Sequence, residues 1–308
     1  MEELIEGILP LWKEKGMTSF DCVFKVRRLL GIKKVGHAGT LDPEVDGVLP
    51  IAIGRGTKVL EYMLDSDKTY TGEVYLGCST STEDGTGEII EKEEVDKNLT
   101  EESIDRILES FEGEIEQIPP MFSAVRYKGK RLYEYAFEGI EVERPSRIVE
   151  IYSIRRTSDL IYDEQEKAAK FSFEVRSSKG TYIRTLAVDI GKKLGYPAHM
   201  SQLTRSESGP INASQTVRLE EIEAAVENGT VSDLLLPIEY GLDGFPTYPI
   251  AEEIWHQVKN GRVFPVDKFP IENYPVLLTY QEKAVAIYNL HPTKTGIIKP
   301  EKVFRTEL

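Results

Sequence analysis

Apolar side chains recur every three or four positions over Phe20, Val23, Phe24, Val26 and Leu30, behind Thr18-Ser19 and ahead of Gly31. That spacing predicts a helix of roughly three turns with a hydroxyl cap and a glycine stop. The same period over Ile104, Ile107, Leu108 and Phe111 predicts a second helix, capped by Thr100. A third is predicted from Thr181 to Leu194, with Ile183, Leu186, Ala187 and Ile190 on one side and Gly195 after it. A fourth, Val217 to Val226, opens in an acidic first turn that suits the helix dipole. Elsewhere the pattern changes. Lys68 to Gly77 alternates and is rich in Thr, Tyr and Val, and Val48 to Ile53 is a short apolar run, so both read as strands. Val149 to Arg156 and Lys170 to Val175 read as a strand pair joined by the polar stretch 157–167. Residues 36–47 hold three glycines, a proline and two aspartates and read as a loop. Strands and helices interleave, which predicts a mixed α/β main domain.

Turn formers gather at Gly241-Leu242-Asp243-Gly244-Phe245-Pro246 and place a boundary there. The expected organisation is a main domain over 1–243 and a small, β-rich domain over 244–308. The latter should carry a helix over Ala251–Lys259 and strands over Pro275–Tyr280 and Ala284–Leu290.

Composition sharpens this. The chain has 308 residues, with 40% hydrophobic and 9% aromatic, enough to build a core. Its two cysteines, Cys22 and Cys78, have no paired spacing, so a disulfide framework is not expected. Met1 to Glu6 is acidic, without the basic and apolar regions of a signal peptide, and no stretch approaches the ~20 apolar residues of a membrane span. A cytoplasmic protein with no membrane partner is the expectation.

A net charge of −14 argues against a nucleic-acid partner until its distribution is seen. Between Glu83 and Glu116, fourteen acids face only Lys92, Lys97 and Arg106, a local net of −11 that leaves about −3 for the other 274 residues. Cys22 to Leu41 carries Lys25, Arg27, Arg28, Lys33 and Lys34 and no acid. Arg126, Lys128, Lys130 and Arg131 form a second basic cluster, and Lys179 with Arg184 marks a third region. Steering depends on local fields, so RNA stays open as a partner.

Several chemistries are poorly supported. His37, His199, His256 and His291 are scattered without metal-ligand spacing, so no metal is expected. Gly54-Arg55-Gly56-Thr57-Lys58 lacks the P-loop spacing, and no GxSxG elbow occurs. What remains is the loop Gly36-His37-Ala38-Gly39-Thr40-Leu41-Asp42-Pro43, flanked by a basic helix and an apolar strand. Its glycines would let a bulky ligand approach the backbone closely.

GHAGTLDPEVDGVLP resembles the signature of the bacterial TruB-type tRNA pseudouridine synthases, whose usual form is close to GHTGTLDPLATGVLP. Further elements follow in that family's order: Gly16-Met17-Thr18-Ser19, Asp65-Ser66-Asp67-Lys68-Thr69-Tyr70, Ile118 to Ala124, Gly129 to Ala136, and Ser178-Lys179-Gly180-Thr181-Tyr182-Ile183-Arg184. Together they span about two-thirds of the chain. Ala38, Glu44-Val45-Asp46 and Glu14 depart from the usual residues, and the two added carboxylates raise a question about electrostatics in the loop.

The resemblance implies a pseudouridine synthase fold, with a largely antiparallel sheet and flanking helices, followed by a PUA-like C-terminal module that adds RNA affinity. It implies isomerisation of a uridine in the T loop of tRNA without a cofactor, and Asp42 as the essential carboxylate. Arg184 would pair with Asp42 and favour its ionised form. Tyr70 would stack on the uracil and take the C5 proton, and His37 would fill the place of the flipped base. Tyr182 and Leu203 would line the pocket, while Lys58, Lys130 and Arg131 would contact phosphates. The T stem-loop would suffice as substrate for a monomer that needs no protein partner. Three alternatives stay open at this point: an N-glycosidic hydrolase, a non-catalytic tRNA-folding protein, and a guide-RNA-dependent relative.

Overall fold

The computed structural model describes residues 5–269 and 271–307. The acidic residues 1–4, on which the absence of a signal peptide was read, lie outside them, as do Pro270 and Leu308. The chain opens with β1 (Gly7–Lys13), α1 (Ser19–Leu30), β2 (Val35–His37), β3 (Asp46–Ile53) and α2 (Leu60–Asp65). It continues through β4 (Lys68–Leu76), β5 (Cys78–Thr80), β6 (Ile89–Lys92), α3 (Glu101–Glu109) and β7 (Gly113–Gln117). A short hairpin, β8 (Arg126–Tyr127) with β9 (Lys130–Arg131), leads into α4 (Leu132–Phe137). Then come β10 (Arg147–Arg156), β11 (Ile161–Asp163), β12 (Ala168–Ser177), α5 (Ile183–Leu194), β13 (Ala198–Ser208), β14 (Ile211–Asn212) and α6 (Leu219–Asn228). The last part holds β15 (Thr247–Pro249), α7 (Glu252–Val258), β16 (Phe264–Pro265), β17 (Val276–Tyr280), β18 (Lys283–Leu290) and β19 (Ile297–Val303).

The local signals explain the helices well. Thr18 accepts from the Asp21 N–H while Asp21 accepts from the Thr18 N–H, and Gly31 closes α1 at φ +68°. This reciprocal cap satisfies two backbone donors that a helix start leaves free. The third helix begins at Ile183 rather than Thr181, because Tyr182 is an extended N-cap residue. The ends of the predicted loop 36–47 are drawn into β2 and β3, and the polar stretch 157–167 carries β11.

One ten-stranded sheet, in the order β1-β3-β13-β4-β12-β10-β7 with β2, β11 and β14 beside it, carries the main body. Its pairings are antiparallel except for β3 with β13. The mixed α/β class with a largely antiparallel sheet is therefore correct. Packed on the sheet, α1, α3, α5 and α6 bury one core through Val23, Val26, Ile104, Leu108, Leu186, Ile190 and Ile222, against Phe171 and Phe173. Each such side chain contributes about 1.5–3 kcal/mol by leaving water.

The C-terminal strands form a separate five-stranded sheet, β15-β17-β18-β19-β16, with its own core around Trp255, Phe264 and Tyr288. Leu277, Ile287 and Phe304 of this module share a further apolar cluster with Ile8, Val48, Val59 and Met63 of the main body. Both cysteines are buried and unpaired. Among the described residues, no helix is long and apolar enough to cross a membrane.

Candidate active site

The loop between β2 and β3 is tied down from beneath by three side chains. Ser19, at the start of α1, donates through Oγ to the Leu41 carbonyl at 3.2 Å and accepts from the Leu41 N–H at 2.9 Å. Lys13, fully buried at the end of β1, donates to the carbonyls of Met17 (2.6 Å), Glu14 (3.0 Å) and Pro43 (3.2 Å). Arg205 of β13, also buried, donates to the carbonyls of Val48 (2.7 Å) and Gly39 (3.3 Å). The sequence reading assigned the loop glycines to the approach of a ligand. The structure corrects this for Gly47, whose added Cβ would lie 2.2 Å from the Arg205 carbonyl. Gly39, at φ +91°, likewise faces Arg205, with its added Cβ 3.2 Å from the guanidinium. These glycines admit the protein's own strand.

Asp42 projects from this loop, and its Oδ2 lies 3.0 Å from Nη2 of Arg184. Arg184 sits in the first turn of α5 and is 6% exposed, so it is no surface helix residue. Nη2 also donates to the Phe122 carbonyl at 2.8 Å, and Nη1 donates to the Thr82 carbonyl at 2.9 Å. A guanidinium held by two carbonyls presents its third contact in a set direction, which orients the carboxylate.

The electrostatic balance at Asp42 differs from the expectation. Burial pushes its carboxyl above the usual carboxylate range and outweighs the opposing effect of Arg184; Asp84 pushes the same way as burial, and Lys13 the other. The side chain is still 44% solvent-reachable, so the crowding comes from the walls around it rather than from full enclosure. Of the added acids of the loop, Asp46 accepts from Thr204 Oγ1 at 2.5 Å, and Glu44 is exposed. The departure at Glu14 forms an ion pair with Arg218.

Asp84 was not found by sequence reasoning, which saw only an acidic run. Burial pushes its carboxyl up, but the Thr82 and Thr86 hydroxyls and the Thr86 N–H together outweigh this and hold it below the usual range. The Thr-Glu-Asp-Gly-Thr pattern carried the signal, because an aspartate before glycine folds back on neighbouring backbone donors. Lys68 is held by the carbonyls of Leu64 and Ser66. Burial, reinforced by Arg205, pushes its ammonium down to about 8.

Asp42 and Arg184 open into a cleft of about 490 Å³, whose walls include Tyr70, Arg131, Tyr182 and Leu203. Tyr70 is carried by β4, opposite Val175 of β12 and Arg205 of β13. Six of the nine predicted site residues therefore share one cavity. The other three do not line it. His37 lies on β2 opposite Ile51, with Nδ1 buried and unpartnered, and burial lowers its pKa. The Lys58 ammonium donates to the carbonyls of Val303 and Phe304, both at 2.9 Å. Lys130 pairs with Glu138 at 2.8 Å, half exposed on the β8–β9 hairpin. Among the described residues, no group of three or more His, Cys, Asp or Glu side chains is arranged to hold a metal ion.

Comparison with known proteins fits this geometry. Residues 27–183 match the model of the TruB family pseudouridylate synthase N-terminal domain, and residues 184–243 match that of the tRNA pseudouridylate synthase B C-terminal domain. The chain is 51% identical over 304 residues to tRNA pseudouridine synthase B of Bacillus pumilus, covering 97% of this chain and 98% of that protein. It is 52% identical over 307 residues to the protein of the same name from Geobacillus thermodenitrificans, covering 98% and 100%. Among solved structures, a Cbf5-Nop10-Gar1 complex matches with a TM-score of 0.74 at 27% identity, over 97% of this chain and 85% of that one. An H/ACA RNP bound to a substrate RNA containing 2′-deoxyuridine matches with a TM-score of 0.70 at 25% identity, over 97% and 85%. With the signature loop, its arginine partner and nearly full-length relatives in agreement, the chain belongs to the TruB family of pseudouridylate synthases.

Proposed function

We propose that this protein isomerises a uridine in the T loop of tRNA to pseudouridine, working as a cytoplasmic monomer on the T stem-loop. The observation that carries the reading is the Asp42–Arg184 pair at 3.0 Å, opening into a cleft lined by Tyr70 and Tyr182. In the reaction the C1′–N1 bond breaks, a C1′–C5 bond forms, the C5 proton leaves and N1 gains one. Nothing is oxidised and no group is added, so the chain's own side chains can supply every proton transfer.

Asp42 supplies the carboxylate directed at the glycosidic centre, and Arg184 orients it. Tyr70 stacks on the uracil and takes the C5 proton. The uridine must leave its stack to enter the cleft, which costs a few kcal/mol and least in a loop. His37, on the strand leading into the loop, fills the vacated place in the RNA. The hairpin contributes Lys130 and Arg131, which lie 5.6 Å and 5.8 Å from the Tyr135 and Tyr133 rings, as phosphate contacts. Lys58 adds a further cation near the C-terminal strands. Residues 244–308 serve as a PUA-like module that adds RNA affinity to the catalytic domain over 1–243.

Asp42→Asn tests the central role. The variant should bind a tRNA transcript like wild type and form no pseudouridine by chemical mapping; wild-type turnover would remove Asp42 from its role. Tritium release from 5-tritiated uridine without an abasic product separates isomerisation from N-glycosidic hydrolysis. Activity of the pure protein on an isolated T-arm stem-loop tests the substrate and the independence from a guide RNA or partner.

A further inference from the structure

The amide of Gln117 is fully buried at the end of β7, the edge strand of the main sheet. Its Oε1 accepts from the Tyr182 N–H at 2.9 Å, and its Nε2 donates to the Tyr182 carbonyl at 3.0 Å. One side chain thus closes on both backbone groups of one residue. That pairing fixes which end of the amide is oxygen. Tyr182 is the N-cap residue of α5 and has no side-chain cap of its own. Arg184 follows two residues later.

The surroundings converge on the same point. Gln117 is in register with Arg147 of β10, whose guanidinium lies 5.2 Å from the Tyr182 ring centre. Five residues beyond Gln117, the Phe122 carbonyl accepts from Arg184 at 2.8 Å. The stretch 117–122 therefore grips the start of α5 at Tyr182 and its first turn at Arg184. Without the amide, the partly buried Tyr182 N–H and carbonyl would both lose their side-chain partner, and the segment could regain partners only by shifting.

We infer that Gln117 is a positioning residue for the reaction. Its two-point clamp on Tyr182 sets where Arg184 holds the Asp42 carboxylate and where the Tyr182 ring bounds the cleft. This deepens the proposed function and rests on it. A displacement of about 1 Å at a reacting group costs on the order of 10²-fold in rate.

Gln117→Met keeps the volume and removes both hydrogen bonds. Its single-turnover rate on a tRNA transcript should fall by roughly tenfold or more, with Kd for tRNA within about threefold of wild type. Gln117→Glu separates positioning from packing. A buried carboxyl is held neutral over a wider pH range, and as a neutral acid it can accept from the Tyr182 N–H and donate to the Tyr182 carbonyl. The ratio of its rate to wild type should therefore rise from about pH 8 to about pH 6, while the ratio for Gln117→Met stays flat. A wild-type rate in Gln117→Met, or a flat or falling ratio in Gln117→Glu, overturns the inference. Wild-type protein in the same assay decides the underlying reading on its own, because a lack of pseudouridine there would count against the function and not against the clamp.

Discussion

The two walls of the cleft are built differently. The wall that carries Asp42 rests on Lys13, Ser19 and Arg205, all buried, each bonded to the loop backbone. The facing wall, from Arg126 to Ser146, exposes Phe137 and Ile140, and its Lys130–Glu138 pair is half exposed. Buried polar contacts are costly to disturb, whereas exposed ion pairs contribute about 0–1 kcal/mol. One wall fixes the Asp42 carboxylate; the other presents cations and rings at a more exposed surface. In the proposed function, preorganisation is thus concentrated at the carboxylate rather than at the surface offered to RNA.

Substitutions on the two walls should differ accordingly. After the complete loss expected of Asp42→Asn, the largest effect is expected at Arg184→Met. Removing one preorganised donor costs on the order of 10²–10³ in rate, measurable by single turnover. The acid limb of the rate profile tests the sign of the electrostatics. Because burial raises the Asp42 pKa, activity should fall on acidification above the usual carboxylate range, as the carboxylate takes up a proton. Arg184 opposes that shift, so in Arg184→Met the limb should move to higher pH; a move to lower pH would contradict the balance described for Asp42.

Next in size is Arg205→Met, which strands the buried carbonyl of Val48 and the partly buried carbonyl of Gly39. Each unsatisfied group costs about 1–3 kcal/mol, read by denaturant unfolding. Ser19→Ala removes both of its bonds to Leu41 and should cost about 1–2 kcal/mol with a smaller loss of rate. On the opposite wall, Lys130→Gln should change stability by less than about 0.5 kcal/mol. A loss as large as that of Ser19→Ala would show that the two walls are equally rigid.

How much of this was legible in the sequence follows from what kind of signal each residue sends. The helices showed themselves through apolar period and caps, as at Thr18 and Gly31. β1 was missed because Pro10, which faces Pro50 of β3 in register, interrupts an otherwise strand-like run. β13 was missed because Ser201, Thr204, Arg205 and Ser206 give it a polar reading, although it lies between β3 and β4. The cleft residues came from the motif rather than from periodicity, and Asp42, Tyr70, Tyr182, Arg184 and Leu203 do share one cavity. Lys13, Gln117 and Arg205 were invisible, since a buried polar side chain looks like a surface one until its backbone partners are known. The acidic stretch 83–116 was legible only in its helix, predicted from the apolar period behind Thr100. It contains the buried Ile104, Leu108 and Phe111, an ion-paired helix joined to Arg156, and the strand that ends in Gln117.

The apolar seam that joins Phe304 and Ile287 to Ile8 and Val48 has a geometric consequence. The distance from the C-terminal sheet to Asp42 is fixed by packed side chains and does not fluctuate as it would across a tether. Under the proposed function, a nucleic acid that met both would be sized as by a gauge with rigid jaws.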